Sequence, residues 1–166
     1  MKIFGFAGWS GGGKTTLIEQ VIPRFARAGL KVSLIKHAHD RFDVDQPGKD
    51  SFRHRAAGCS EVLVTSGERW ALMHEMRGEE EATLEQQIAR MSPCDLLLIE
   101  GYKRYPLPKL EIYRKANGKP LLHPEDEHIV ALATDTRVQC PLPQFGLEDY
   151  DGIVAFVLHT LELNRK

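Results

Sequence analysis

Residues Gly8 to Thr15 read G-W-S-G-G-G-K-T, between the apolar run Ile3–Ala7 and a helical pattern opening at Thr16-Leu17. No other stretch limits the fold so strongly. A short buried strand, a glycine-rich turn and a helix in that order specify a phosphate-binding loop. Gly8, Gly11, Gly12 and Gly13 let the backbone coil until successive N–H groups, with Ser10 between them, face phosphate oxygens. Lys14 supplies a point charge for β- and γ-phosphates, and the Thr15 hydroxyl is a Mg²⁺ ligand. Thr16 lies in the first helical turn, whose dipole favours the same anion. A plain glycine turn has no need of lysine and threonine at those offsets. The expected ligands are a nucleoside triphosphate and Mg²⁺.

At 166 residues the chain has the length of one domain, expected over 1–166, with a substantial core. Lys and Arg total 22 against 23 Asp and Glu, a formal net charge of -1, so no global attraction to nucleic acid or anionic membrane is expected. Cys59, Cys94 and Cys140 lie far apart without a C-x-x-C pair, which fits reduced, buried thiols rather than a zinc ribbon or disulfide framework. The chain enters a strand at once, without a secretory leader, and no apolar run reaches membrane-spanning length. A cytoplasmic protein is expected.

Leu17, Ile18, Val21, Ile22 and Phe25 share one face of a helix expected from Lys14 to Ala28, with Pro23 as a kink inside it. Lys31–Lys36 reads as a strand, and the polar stretch Asp40–Asp50 as a long loop. Ser51 is expected to cap a helix running to Ala57. Glu61–Thr65 and Trp70–Met76 read as a hairpin, Thr83–Met91 as a helix, and Leu96–Glu100 as the most buried strand. Leu110–Tyr113 and Ile129–Thr134 supply further strands, and Asp149–Leu163 a final helix. This alternation predicts an α/β fold of the P-loop, Rossmann-like type. Its mainly parallel sheet has helices on both faces and an added antiparallel hairpin, with ligands at the strands' carboxyl ends.

A triphosphate site needs a carboxylate at the end of a neighbouring hydrophobic strand. Asp95 is at the wrong end of Leu96–Ile99, whereas Glu100 is at the right one, a Walker-B variant that serves the metal and hydrolysis. Lys36, His37 and His39 end the second strand at the same rim, beside the acidic Asp43-Val44-Asp45. His37 and His39 alone are too few ligands for specific zinc. A nucleotide- or substrate-facing role is expected there, with Asp43 or Asp45 reaching Mg²⁺ directly or through water. Tyr102-Lys103-Arg104-Tyr105 is either a solvated loop or a surface for a charged partner. No N-K-x-D motif reads guanine; Asp135, after Ala131–Thr134, is either the carboxylate for a base edge or a turn-initiating Asp.

The blocks A-G-W-S-G-G-G-K-T-T-L, L-I-K-H-A-H, D-V-D-Q-P-G-K-D-S, R-W-A-L-M and I-E-G-Y-K resemble the molybdopterin-guanine dinucleotide biosynthesis adapter family, MobB. The resemblance spans nearly the whole chain. It implies a homodimeric, GTP-binding protein with weak GTPase activity. The partner it implies is the molybdopterin guanylyltransferase that joins GMP to molybdopterin, with molybdopterin or its guanine dinucleotide as a further ligand. It also implies a sheet that pairs across the dimer, covering edges that invite aggregation. The rival from another class is a small-molecule kinase, with His37–Asp50 holding an acceptor and Arg53 and Arg55 forming a mobile lid. With no identifiable water-orienting glutamine or arginine finger, unaided hydrolysis is expected to be slow.

Overall fold

The computed structural model describes residues 1–38 and 42–163 and divides into two compact units. The first comprises Met1–His37 and the chain from Ser92 onward; the second is Ala38–Met91.

The first unit is built on a six-stranded sheet. Its strands are β1 (Lys2–Ala7), β2 (Val32–Lys36), β5 (Leu96–Glu100), β6 (Lys109–Tyr113), β7 (Ile129–Thr134) and β8 (Gln144–Gly146), in the order β2-β5-β1-β6-β7-β8. Every pairing is parallel, so all carboxyl ends share one edge. All five β5 residues are buried, which is why this strand reads as a continuous apolar run rather than an alternating one. Helix α1 (Lys14–Arg27) and helix α4 (Tyr150–Thr160) meet over the face carrying Phe4, Phe6, Leu98, Leu110 and Ile112. Arg24 on α1 joins them, 2.7 Å from Asp151 and 4.9 Å above the Tyr150 ring. On the opposite face of β6, Lys109 and Glu111 are buried charges.

Helix α1 runs through Pro23 and ends at Arg27, as its continuing apolar face predicts. β8 and two short 3₁₀ turns, Lys115–Asn117 and His123–Glu125, are not foreseen, being too short for a periodicity signal. The final helix stops at Thr160, short of the expected Leu163.

In the second unit, β3 (Glu61–Thr65) and β4 (Trp70–His74) form an antiparallel hairpin of their own, pairing Leu63 with Leu72 and Thr65 with Trp70. Helix α2 spans Asp50–Ala56 with Lys49 at its N-cap. Ser51 is therefore inside the first turn and not the expected cap; its hydroxyl donates to Asp45 Oδ1 at 2.9 Å. Helix α3 (Leu84–Arg90) is capped by Thr83, whose Oγ1 accepts the Gln86 N–H while the Gln86 side chain accepts the Thr83 N–H.

Candidate functional site

Between β1 and α1, the backbone requires glycine for two distinct reasons. A Cβ on Gly8 would fall 2.5 Å from the Ile112 carbonyl oxygen, so only glycine lets the loop pass β6 this closely. Gly13 is the N-cap of α1 at φ 91°, in the left-handed region, and no side chain caps the helix there. The first N–H groups of α1 are thus left for an anion. Lys14 Nζ bridges the loop, donating to the carbonyls of Gly8 at 3.0 Å and Trp9 at 2.9 Å. Partial burial lowers its pKa; Glu100 opposes that shift, and Lys103 and Lys36 add to it. An ammonium among other cations is primed for an anion.

Glu100 pairs in register with Phe6 of β1 and Lys36 of β2, so the parallel sheet delivers its carboxylate to the end of the glycine-rich loop. It is 5% exposed. Thr15 Oγ1 donates to Glu100 Oε1 at 2.8 Å, and Lys36 Nζ lies 3.5 Å from Oε2 and 3.4 Å from the Thr15 hydroxyl. The geometry therefore brings together Lys14, Thr15, Lys36 and Glu100. His37 donates its N–H to the Glu100 carbonyl at 2.9 Å, and its ring lies 4.7 Å from that of Tyr102. His39 lies outside the described residues.

Of three further neighbours of the loop, Lys103 is expected from sequence only as part of a solvated loop or partner surface, and Arg114 and Asn117 carry no sequence signal. Lys103 Nζ sits 4.3 Å from the Trp9 ring centroid, a cation–π contact joining the segment after Glu100 to the loop. The Arg114 guanidinium lies 3.5 Å from where a Gly13 side chain would begin. Asn117 Nδ2 donates to the Ser10 carbonyl at 3.5 Å. Arg114 and Asn117 follow β6, the strand beside β1; that adjacency was invisible until the strand order was known.

Asp135 follows β7, where its Oδ1 accepts the Lys115 N–H at 3.0 Å. It lines a cavity of about 600 Å³ together with Thr134, Arg137, Gln144 and Phe145, at the carboxyl ends of β7 and β8. Asp43 and Asp45 belong to the second unit, and both pair with Arg55. Arg55 Nη2 donates to both Asp43 oxygens at 2.9 and 2.8 Å, Nε donates to Asp45 at 3.2 Å, and Nη1 donates to Glu75. The Arg55 hydrogen bonds hold the Asp43 carboxyl below the usual carboxylate range. Desolvation works against the Asp45 charge, yet bonds from Ser51, Gln46 and Arg55 bring that carboxyl below the range too.

The family model described as Molybdopterin guanine dinucleotide synthesis protein B matches residues 3–135. The chain belongs to this family. It is 39% identical to the molybdopterin-guanine dinucleotide biosynthesis adapter protein of Escherichia coli (strain K12) over 165 residues, 98% of this chain and 94% of that one. The adapter protein of the same name from Haemophilus influenzae is 44% identical over 137 residues, covering 81% and 75% of the two chains. A crystal structure of molybdopterin-guanine biosynthesis protein B superposes with a TM-score of 0.75 at 25% identity, covering 96% and 99%. The span matched to the MobB family runs from β1 through Asp135 and so holds the glycine-rich loop, Lys36, Glu100 and Arg114. Among the described residues, no helix is long and apolar enough to cross a membrane.

Proposed function

We propose that this MobB-family chain is a cytoplasmic, GTP-binding adapter in molybdopterin guanine dinucleotide synthesis. It assists the guanylyltransferase that joins GMP to molybdopterin. The observation that carries the nucleotide reading is the Thr15–Glu100 hydrogen bond at 2.8 Å, set beside Lys14 at a loop that only glycine can form. The donor set fits a Mg²⁺–triphosphate. The loop N–H groups, Ser10, Lys14 and Thr16 would hold phosphates, and Thr15 would ligate Mg²⁺, with Glu100 ligating it or one of its waters. Among the described residues no cluster of three or more His, Cys, Asp or Glu forms a metal cage, which suits Mg²⁺, an ion that keeps waters and phosphate oxygens as ligands.

Glu100 would hold Mg²⁺ or one of its waters, and the Arg114 guanidinium, beside Gly13, would add a second cation near the phosphates. Asp135 and the cavity beside it would take the base edge, its carboxylate accepting the guanine amino and ring N–H groups. Lys36 and His37 complete the rim, whereas Asp43 and Asp45, the other carboxylates expected for the metal, are each paired with Arg55. Turnover is expected to be slow in this reading, because the sequence offers no identifiable glutamine to orient the attacking water.

The hairpin leaves Leu63, Val64, Trp70 and Leu72 exposed, a surface that a second copy of this chain would cover in a homodimer. The kinase alternative is weaker: it needs a mobile arginine lid, and Arg55 is held by three carboxylates.

The test is reconstitution. Purified protein with GTP and Mg²⁺ is expected to hydrolyse slowly alone, to sediment as a dimer, and to raise the yield of guanylylated cofactor when the guanylyltransferase is added. A monomer that transfers phosphate rapidly from ATP to a small acceptor, with no effect on the guanylyltransferase, contradicts this function.

A further inference from the structure

Strand β6 carries two buried charges on the face opposite α1 and α4: Lys109 is 1% exposed and Glu111 is fully buried. They stand in register with Gly5 and Ala7 of β1, small residues that leave room for them. A Cβ on Gly5 would fall 2.9 Å from the Lys109 Cβ. Desolvation pushes the Glu111 carboxyl above its ordinary pKa, so this carboxylate is kept at a cost. A strand whose only task was packing would carry apolar side chains there.

Each charge holds a different piece of chain. Lys109 Nζ uses all three of its N–H donors, on the carbonyls of Lys103 at 3.0 Å and Tyr105 at 2.6 Å and on Asp126 Oδ2 at 2.6 Å. Glu111 accepts the backbone N–H groups of Leu122 at 2.7 Å and His123 at 2.9 Å, one on each oxygen. The segments 103–105 and 120–126 are thus fixed to one strand, and they converge on one side chain. Lys103 Nζ sits 4.3 Å from the Trp9 ring centroid, and the Pro120 carbonyl accepts the Trp9 Nε1–H at 2.8 Å.

Trp9 belongs to the glycine-rich loop. Its carbonyl accepts Lys14 Nζ at 2.9 Å and the Gly12 N–H at 3.1 Å, so one residue orders both the lysine and the turn. A backbone this rich in glycine is loose by itself, and holding its N–H groups in one arrangement takes a brace from outside. We infer that Lys109 and Glu111 are positioning residues for this loop: the segments they anchor clamp the Trp9 ring, and through it the carbonyl that holds Lys14 and Gly12. The inference rests on the triphosphate reading of the loop and adds two residues that act on the ligand only through Trp9.

Calorimetric titration of GTP with Mg²⁺ into the full chain, arranged as a double-mutant cycle, tests this role. Glu111→Gln keeps the shape but loses one acceptor oxygen and should weaken binding about tenfold, as should Lys109→Met. Trp9→Ala should weaken it by as much or more, and adding Glu111→Gln to Trp9→Ala should weaken it no further. A general loss of packing would instead add to the Trp9→Ala effect. The only other tryptophan is Trp70, so Trp70→Phe leaves the Trp9 indole N–H as a single resonance. In Glu111→Gln protein this N–H should exchange with solvent about tenfold faster, while Leu98 methyl resonances stay unchanged. Trp9 is half-buried, so Trp9→Ala reads the clamp even where a buried substitution prevents folding. Unchanged GTP affinity in Trp9→Ala or Glu111→Gln, or additive losses in the double variant, would overturn the positioning role and leave the triphosphate reading standing. No binding of GTP by the wild type would end both.

Discussion

The two units keep their order by different means. In the sheet unit, apolar side chains from β1, β5, β6 and β7 are sealed beneath α1 and α4, and the charges at its rim are placed by strand register. In the unit 38–91, Leu84 is the single buried residue among those described, and the hairpin's Leu63, Trp70 and Leu72 are half or more exposed. There a polar hub stands where a core would be: Arg55 gathers Asp43, Asp45 and Glu75, and Arg77 donates to the Arg55 and Cys59 carbonyls. A two-stranded hairpin is marginal in water by itself. The first unit is thus fixed by burial, whereas the second depends on ion pairs and on whatever covers its hairpin.

The sharpest way to break this contrast is to exchange the kinds of damage. Leu98→Ala removes a fully buried side chain from β5 and should cost about 2–5 kcal/mol of stability, read by denaturant unfolding. A cost near zero would mean that the sheet unit is not held by its core. Arg55→Ala leaves three carboxylates facing one another, so hydrogen exchange within 38–91 should accelerate while β1 and β5 stay protected. Uniform acceleration across the chain would merge the two units into one cooperative block.

Acid and base should sharpen the same distinction. Asp43 and Asp45 have lowered folded pKa values, so their contribution is present above the ordinary carboxylate range and lost as pH falls through the lowered values, below about pH 4. His74 is the opposite case. Hydrogen bonds to Glu61, then Glu79, raise its pKa, so its contribution is complete below about pH 6.5 and lost as pH rises through the raised value. Protection factors in 38–91, corrected for the intrinsic pH dependence of amide exchange, should be highest between those limits; a flat profile would remove the ionic account. The smallest effect is expected from Leu72→Ala, within about 0.5 kcal/mol in a monomer because the side chain is half exposed. A larger, concentration-dependent loss would show that a second copy covers the hairpin.

Much of this was legible in the residues. Glycine spacing located the tight turn between β1 and α1, and the unbroken Leu96–Ile99 run located the central strand ending in Glu100. Local patterns suffice where a signal is short-range. Ser51 was misassigned because a serine near a helix start satisfies the capping pattern, while its hydroxyl is in fact taken by Asp45. β8 is three residues long and carries no periodicity. Arg114, Asn117 and Lys103 come to the loop through the order of strands and the path of loops, which no local spacing encodes. Buried Lys109 and Glu111 sit in an alternating strand where sequence suggests solvent; only their partners Asp126, Leu122 and His123 explain them.

The central claim is that Lys14 and its loop hold a triphosphate. Calorimetric titration of GTP with Mg²⁺ into wild-type, Glu100→Gln and Lys14→Ala proteins tests it directly. Wild type should bind, and Glu100→Gln should bind about tenfold more weakly with Mg²⁺ but equally without it. Lys14→Ala should lose roughly a hundredfold or more, with only a small fall in unfolding temperature from the lost bonds to the Gly8 and Trp9 carbonyls. Equal GTP affinity in wild-type and Lys14→Ala proteins would contradict the assignment of this loop as the nucleotide site.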